Sequence, residues 1–355
     1  MRLNPALDSL EPFSYCGTDY PTRLDANESC VPLSEGLRRE LADAILSLNL
    51  NCYPDDRTVA LRQAFGKAFS VDPDCVVPGN GSDELINMIV GRLIPYQGLV
   101  LGVERDFGSY WSNAAIFGRR VEKLPRREDM TFTADDLLDG VRRYQPDLLI
   151  FSNPNNPSGS QLTREEVIRV VEEAGCLVVV DEAYMDFSDQ SILDLAGRYP
   201  NLIVLRTLSK AMGLAGARIG FAVSDPKLTY ALRSVRDAYN VSAADQAIAT
   251  VLLRHPEHRE ATLQEIGRLM DLLKQRLAAI ADRARQKMVV YPSVTNFVLL
   301  RLEDADAVSA AMHAQGISLR QFDPHLIRIS VAPEATLLRV LDLLEQTVCG
   351  KECNG

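Results

Sequence analysis

One lysine in this chain stands among hydroxyls, glycines and an arginine. In LIVLRTLSKAMGLAGARIG, Leu202 to Gly220, a short apolar strand pattern gives way to Thr207 and Ser209, then Lys210. Glycines follow at 213, 216 and 220, and Arg218 lies eight residues past the lysine. Hydroxyls and a guanidinium hold phosphate oxygens, the guanidinium as a planar fork of donors. Glycines let the backbone approach a ligand closely. An amine beside fixed positive charge gives up its proton more readily, as an imine-forming lysine must. The stretch reads as an anion cradle beside a reactive amine. A surface lysine in a glycine-rich loop would use the same residues.

Three further polar clusters follow apolar runs. PGNGSDELI, Pro78 to Ile86, comes after the strand-like Cys75 to Val77 and opens a helix expected to run to Leu93. The free N–H groups of a helix start suit a phosphate. A plain capped helix is the other reading, with Ser82 as N-cap and Asp83 and Glu84 complementing the dipole. The spacing is neither the GxGxxG dinucleotide pattern nor the P-loop. SNPNNPSG, Ser152 to Gly159, is turn-forming by composition alone. In DEAYMDF, Asp181 follows three valines, so a carboxylate emerges from a buried strand and needs a partner. A helix cap or an ion pair would satisfy it as well as a ligand would. Tyr184 stands in the same cluster.

The elements that must position these clusters alternate. Strand patterns at 99–103, 121–124, 148–151, 176–180 and 202–205 are interleaved with helical patterns at 34–48, 59–69, 107–117, 133–144 and 163–174. Ser34 is a plausible N-cap, and Thr163 with Glu166 has capping-box spacing. Near-continuous apolar strands alternating with helices predict a mainly parallel sheet covered on both faces. In such sheets ligands sit beyond the carboxyl ends of the strands. All four clusters, Gly79–Asp83, Asn153–Gly159, Asp181–Tyr184 and Thr207–Lys210, fall at strand ends, which argues for one shared site.

Past Gly220 the style changes. Helices are expected at 227–236 and 243–254, then a long one from about 257 to 285. Strands at 289–291, 296–302, 317–320 and 326–331 alternate with helices at 305–315 and 334–348. Residues 1–33, with prolines at 5, 12, 21 and 32, read as loop. The division expected is a large α/β domain over 35–250. A smaller α+β domain is expected from 1–34 with 251–355. Arg320 and Arg328 lie in strands of the smaller part; each reads as a solvated strand arginine or as an anion ligand, and the apolar setting of LIRISV raises the weight of the second.

Composition sets the class. The chain has 355 residues, 46% hydrophobic and 24% charged, with a net charge of −10. That predicts a soluble globular protein and gives no reason for nucleic acid or a membrane surface as partner. Apolar runs are strand-sized, and MRLNPALDSLEPF has no apolar signal core, so a cytoplasmic location is expected. Seven scattered cysteines, including Cys349 and Cys353, read as free thiols, and four histidines form no metal-ligand spacing.

LDANES, YPD, GNGSDELI, NPNNPSG, DEAYMDF, RTLSKAMGLAGARIG, YNVSAADQ, PSVTNFVLL and LIRISV occur in one order between about Leu24 and Val331. In this the chain resembles the fold-type I aminotransferases that depend on pyridoxal 5′-phosphate (PLP). Within that group it is most similar to the histidinol-phosphate aminotransferases. The resemblance implies a large domain with a mainly parallel seven-stranded sheet sandwiched by helices, plus a smaller α+β domain. It implies that Lys210 forms the aldimine with PLP and carries the Cα proton. It also implies that Asp181 pairs with the pyridinium nitrogen, keeping the ring an electron sink. Tyr184 and Asn156 match the pair that bonds the ring oxygen. Gly81, Ser82, Asp83, Thr207, Ser209 and Arg218 match the phosphate cup. Phe107 falls where a stacking tyrosine is usual, and Tyr110 is a possible substitute. Tyr53 matches a tyrosine reaching the other subunit of a homodimer. Arg328 and Arg320 match anion-binding arginines, and Asn27 a substrate-side asparagine.

Departures fall on the substrate side: Phe13 in place of a tyrosine, the short QFDPHLI between Arg320 and Arg328, and APE after LIRISV. The expected activity is ping-pong amino transfer between a phosphorylated amine such as histidinol phosphate and 2-oxoglutarate. The alternatives are a PLP-dependent decarboxylase of a phosphorylated amino acid, similar to threonine-phosphate decarboxylase, and a PLP-binding regulator without turnover.

Overall fold

A computed structural model describes Asn4 and residues 20–350; Phe13 and Cys353 lie outside the described residues. The elements in chain order begin with β1 (Thr22–Leu24), α1 (Glu35–Leu46) and α2 (Val59–Phe69). An alternating stretch follows: β2 (Val76–Asn80), α3 (Gly81–Met88), β3 (Leu99–Val103), α4 (Gly108–Ile116), β4 (Arg120–Leu124), α5 (Ala134–Tyr144), β5 (Leu148–Ser152), α6 (Arg164–Glu173), β6 (Leu177–Asp181), β7 (Leu202–Thr207) and β8 (Ile219–Ser224). Helices α7 (Pro226–Val235), α8 (Ala243–Leu252) and α9 (Pro256–Arg283) come next. The chain continues as β9 (Val289–Val290), β10 (Phe297–Arg301), α10 (Ala305–Ala314), β11 (Ile317–Asp323), β12 (Leu326–Ser330) and α11 (Glu334–Cys349).

Local chemistry starts several helices. The Ser34 hydroxyl accepts from Leu37 N at 3.2 Å. Thr163 and Glu166 make both bonds of a capping box, as do Thr133 and Asp136. The helix after β2 departs from expectation. It starts at Gly81, so Asn80 and not Ser82 takes the cap position. Gly81 turns at φ +77°, which a larger residue resists, and Glu84 accepts from Asn80 N at 2.6 Å.

The larger sheet has seven strands in the order β2-β8-β7-β6-β5-β3-β4. Only β8 runs against its neighbours, β2 and β7; the other pairs are parallel. Two reversals leave β2 parallel to β7, so β2, β5, β6 and β7 all end at one edge. Strands β3, β5, β7 and β8 are buried along their whole length because helices cover both faces. Leu61 and Phe65 of α2, Leu137 of α5 and Val167 of α6 pack on one face. Leu85 and Ile86 of α3, Tyr110 of α4 and Leu232 of α7 pack on the other. Each such side chain contributes about 1.5–3 kcal/mol on burial.

The smaller sheet has the order β1-β11-β12-β10-β9. Ile266, Leu269, Leu273 and Leu277 of α9 share its core with Val340, Leu341 and Leu344 of α11. Residues 1–33 were expected to be loop, but Thr22–Leu24 forms β1, parallel to β11 with Thr22 opposite Ile317. Three residues next to a proline show no periodicity; the exposed edge of β11 makes them a strand. Among the described residues no helix is long and apolar enough to cross a membrane.

Candidate active site

Lys210 lies just past the end of β7. Its Nζ donates to the carbonyl oxygens of Ala26 and Asn27, at 3.2 Å each. It also sits 5.7 Å from the centre of the Tyr184 ring. The amine thus spans from the larger sheet to the segment that carries β1.

Beside it, Thr207 and Ser209 hydroxyls are 2.9 Å apart, and Ser209 N donates to Thr207 Oγ1 at 3.1 Å. Arg218, at φ +50°, donates to Asp83 Oδ2 at 3.1 Å. Two glycines bring these groups to the start of α3. A Cβ on Gly81 would meet Arg218 Nη2 at 2.6 Å, and one on Gly220 would meet Ser82 N at 2.4 Å. The result is a cradle of hydroxyls, backbone N–H groups and a guanidinium that any added side chain would fill.

Asp181 ends β6 and is buried. Its Oδ2 accepts from the Tyr110 hydroxyl at 2.8 Å and its Oδ1 from Ala183 N at 3.1 Å. Burial pushes the carboxyl up to about 7; the Tyr110 hydrogen bond opposes this and the Asp106 charge adds to it. Neither an ion pair nor a helix cap explains Asp181, and no described cation pairs with it. Asp106 is itself held by Ser152 and by Asn155 Nδ2 at 3.0 Å, and burial raises it too. Tyr110 offers no exposed ring face. It is fully buried behind Asp181, and the half-buried Phe107 meets it edge-on at 5.7 Å and 84°. The reason is helical spacing: three residues on from Phe107, Tyr110 points into the core under the sheet edge.

On the other side of the lysine, Arg328 of β12 is buried. Its Nη1 donates to Asn156 Oδ1 at 2.7 Å and its Nη2 to Asp25 O at 2.7 Å, while Nε is buried without a partner. Burial lowers the pKa of the guanidinium from its ordinary value, and the Tyr184 phenol offsets part of that. Tyr184 meets Phe297 edge-on at 5.2 Å. Arg320 lies directly opposite Arg328 in the register of β11 and β12, exposed and over the Phe322 ring. Asn27, at φ +57°, donates to Asn296 Oδ1 at 2.9 Å, and its own Oδ1 is buried without a partner. Tyr53 stands apart, 80% exposed and stacked on Tyr239 at 4.4 Å. It lines a surface cavity of about 480 Å³ with Leu48, Cys52 and Thr250.

Two features behind the site were not anticipated. One is Tyr110 as the partner of Asp181. The other is a buried ion network: Arg206 of β7 bonds Glu182 at 3.0 Å and Asp186 at 2.7 Å, and Arg259 of α9 also bonds Asp186 at 2.7 Å. A charged residue inside the apolar run LIVLRT was the available signal for the second.

The model of the family described as aminotransferase class I and II matches residues 21–344. A histidinol-phosphate aminotransferase of Clostridium novyi is 31% identical over 96% of this chain and 95% of its own length. That of Thermoanaerobacter pseudethanolicus is 36% identical over 85% of each chain. Among solved structures, histidinol-phosphate aminotransferase from Sinorhizobium meliloti in complex with pyridoxal-5′-phosphate superposes with a TM-score of 0.85. It is 28% identical, over 98% of this chain and 96% of that one. The chain belongs to the class I and II aminotransferases, PLP-dependent enzymes of fold type I.

Proposed function

We propose that this enzyme moves an amino group between a phosphorylated amine, histidinol phosphate, and 2-oxoglutarate, with PLP as cofactor. One observation carries the cofactor reading. Asp181 is a buried carboxyl with no cation partner among the described residues, and beside Lys210 lies a cradle that a single Cβ would close. A cationic ring nitrogen with a phosphate tail fits both. The substrate comes from the names of the relatives. Buried Arg328, with no carboxylate partner among the described residues, supports an anionic substrate group.

Bound here, PLP would supply a sink for the electron pair left when the Cα proton is removed. Lys210 would anchor the cofactor and take and return that proton at Nζ. Asp181 would hold the ring nitrogen protonated. Tyr184 and Asn156 would bond the ring oxygen, and Phe107 would pack on the ring face. Ser82 and Asp83 N–H groups, Thr207, Ser209 and Arg218 would hold the phosphate at the start of α3, with Gly81 giving the room. Arg328 and Arg320 would bind substrate anions, with Asn27 beside them. We infer a large domain over 35–250 and a small domain over 1–34 with 251–355; the two separate sheets support such a division. A homodimer is the assembly we infer, with exposed Tyr53 reaching the second subunit's site, and a cytoplasmic location suits such a biosynthetic enzyme.

The test is the visible spectrum of the purified holoenzyme before and after adding L-glutamate without oxo acid. Replacement of the imine band by the pyridoxamine band supports the reading. Release of CO2 from a phosphorylated amino acid, with no glutamate formed from 2-oxoglutarate, would replace it with the decarboxylase.

A further inference from the structure

Helix α4 has Phe107 at its N-cap and Tyr110 in its first turn, the second under the end of β6. Tyr110 is 0% exposed, and its hydroxyl reaches Asp181 Oδ2 at 2.8 Å. A phenol has one proton to donate, and here it goes to Asp181. With Ala183 N on Oδ1, each carboxylate oxygen has one fixed donor and keeps a lone pair free. The charges around this carboxylate are mostly wrong for an anion. Asp106 and Asp83 both disfavour it, and burial disfavours it most. A neutral carboxyl would present its own proton and, without a negative charge, would no longer hold the ring nitrogen in its protonated form. The Tyr110 hydroxyl is the side chain that favours the ionised, accepting form. Its ring has a second job in the core, edge-on to Phe107 at 5.7 Å and to Trp111 at 5.9 Å.

We propose that Tyr110 is a positioning residue for the cofactor: by donating to Oδ2 it keeps Asp181 an acceptor for the ring nitrogen, and so sets both PLP affinity and the protonation of that nitrogen. This rests on the role of Asp181 given above. Phe107 has no hydroxyl, and Tyr110 spends its own on Asp181, so α4 gives the cofactor a bare aromatic face and a braced carboxylate.

A double-mutant cycle tests it. Apoenzyme is titrated with PLP for wild type, Tyr110→Phe, Asp181→Asn and the double variant. The ring-nitrogen resonance of ¹⁵N-labelled PLP is recorded for each. Tyr110→Phe is expected to weaken PLP binding about tenfold with Asp181 present and less than about twofold in the Asp181→Asn background. In the single variant the resonance should move toward that of neutral pyridine. Equal losses in both backgrounds would mean packing alone and would overturn the proposal, as would no loss in either. If Asp181→Asn itself changed neither affinity nor resonance, the reading of Asp181 would fail first and take this one with it. Should Tyr110→Phe fold poorly, 3-fluorotyrosine at position 110 keeps the ring and strengthens the donor. It should move the resonance toward pyridinium, and an unmoved resonance would count against the proposal.

Discussion

Arg328 on the smaller sheet bonds Asn156 on the loop after β5 at 2.7 Å, across 172 residues of sequence. Its other nitrogen holds Asp25 O, so one guanidinium ties three parts of the site together. Lysine cannot offer that fork. Arg328→Lys should lower kcat/KM for the amino donor by about two orders of magnitude, mostly through KM. Steady-state kinetics with both substrates checks this. An unchanged KM would remove Arg328 from substrate binding.

Lys210→Ala removes the amine that reaches from the end of β7 to the Ala26 and Asn27 carbonyls. Multiple turnover should fall by at least about 10⁴-fold, since covalent anchoring and the proton carrier go together. The fold should survive, because the lost bonds are two long ones to the Ala26 and Asn27 carbonyls. Full turnover in the variant, measured as glutamate formed, would mean another base does the work.

Asp181 makes the apoenzyme pH-sensitive. Its pKa is raised from 3.8 to about 7 in the fold. A raised acid stabilises the folded state fully below the unfolded pKa and loses that contribution as pH climbs to the folded one. Apoenzyme stability should therefore fall from about pH 4 to about pH 7 on this group's account, by a few kcal/mol at most. Asp181→Asn should remove that slope, as read from the difference between the two melting curves across pH. The same variant, loaded with PLP, should turn over orders of magnitude more slowly. Matching slopes would mean that Asp181 is ionised throughout in the apoenzyme.

Behind the site, Arg206→Leu would leave Glu182 and Asp186 buried beside each other without their shared partner. The expected cost is about 3–5 kcal/mol, visible in urea denaturation. Arg259→Ala should cost much less, since Arg259 is part exposed and Arg206 still holds Asp186. Equal losses would place the weight of the network on α9 instead of on the strands.

Local signals were the readable ones. α2 spans Val59–Phe69 as its apolar spacing predicts, and the Thr163–Glu166 capping box needs only four residues of sequence. The polar clusters at strand ends were legible because an emerging charge after three valines has few explanations. What escaped was set by distance along the chain. Tyr110 meets Asp181 across 71 residues, and on α4 nothing separates a tyrosine that stacks from one that braces a carboxylate. β1 was missed because Thr22–Leu24 becomes a strand only against β11. Helix α3 starts earlier than Ser82 predicts because Gly81 takes a backbone turn that its sequence alone permits but does not require.

The two glycines of the cradle also bear on how such an enzyme can evolve. At Gly220 a single methyl would strike the backbone of Ser82, and at Gly81 it would strike the guanidinium of Arg218. Gly220 therefore has no room for any side chain, and Gly81, whose guanidinium neighbour could shift, still sits at φ +77° where a side chain is strained, so that end of the molecule drifts slowly. Arg320, exposed on β11 across from Arg328, has no such constraint. A lineage built on this chain would change what it acts upon long before it changed what it acts with.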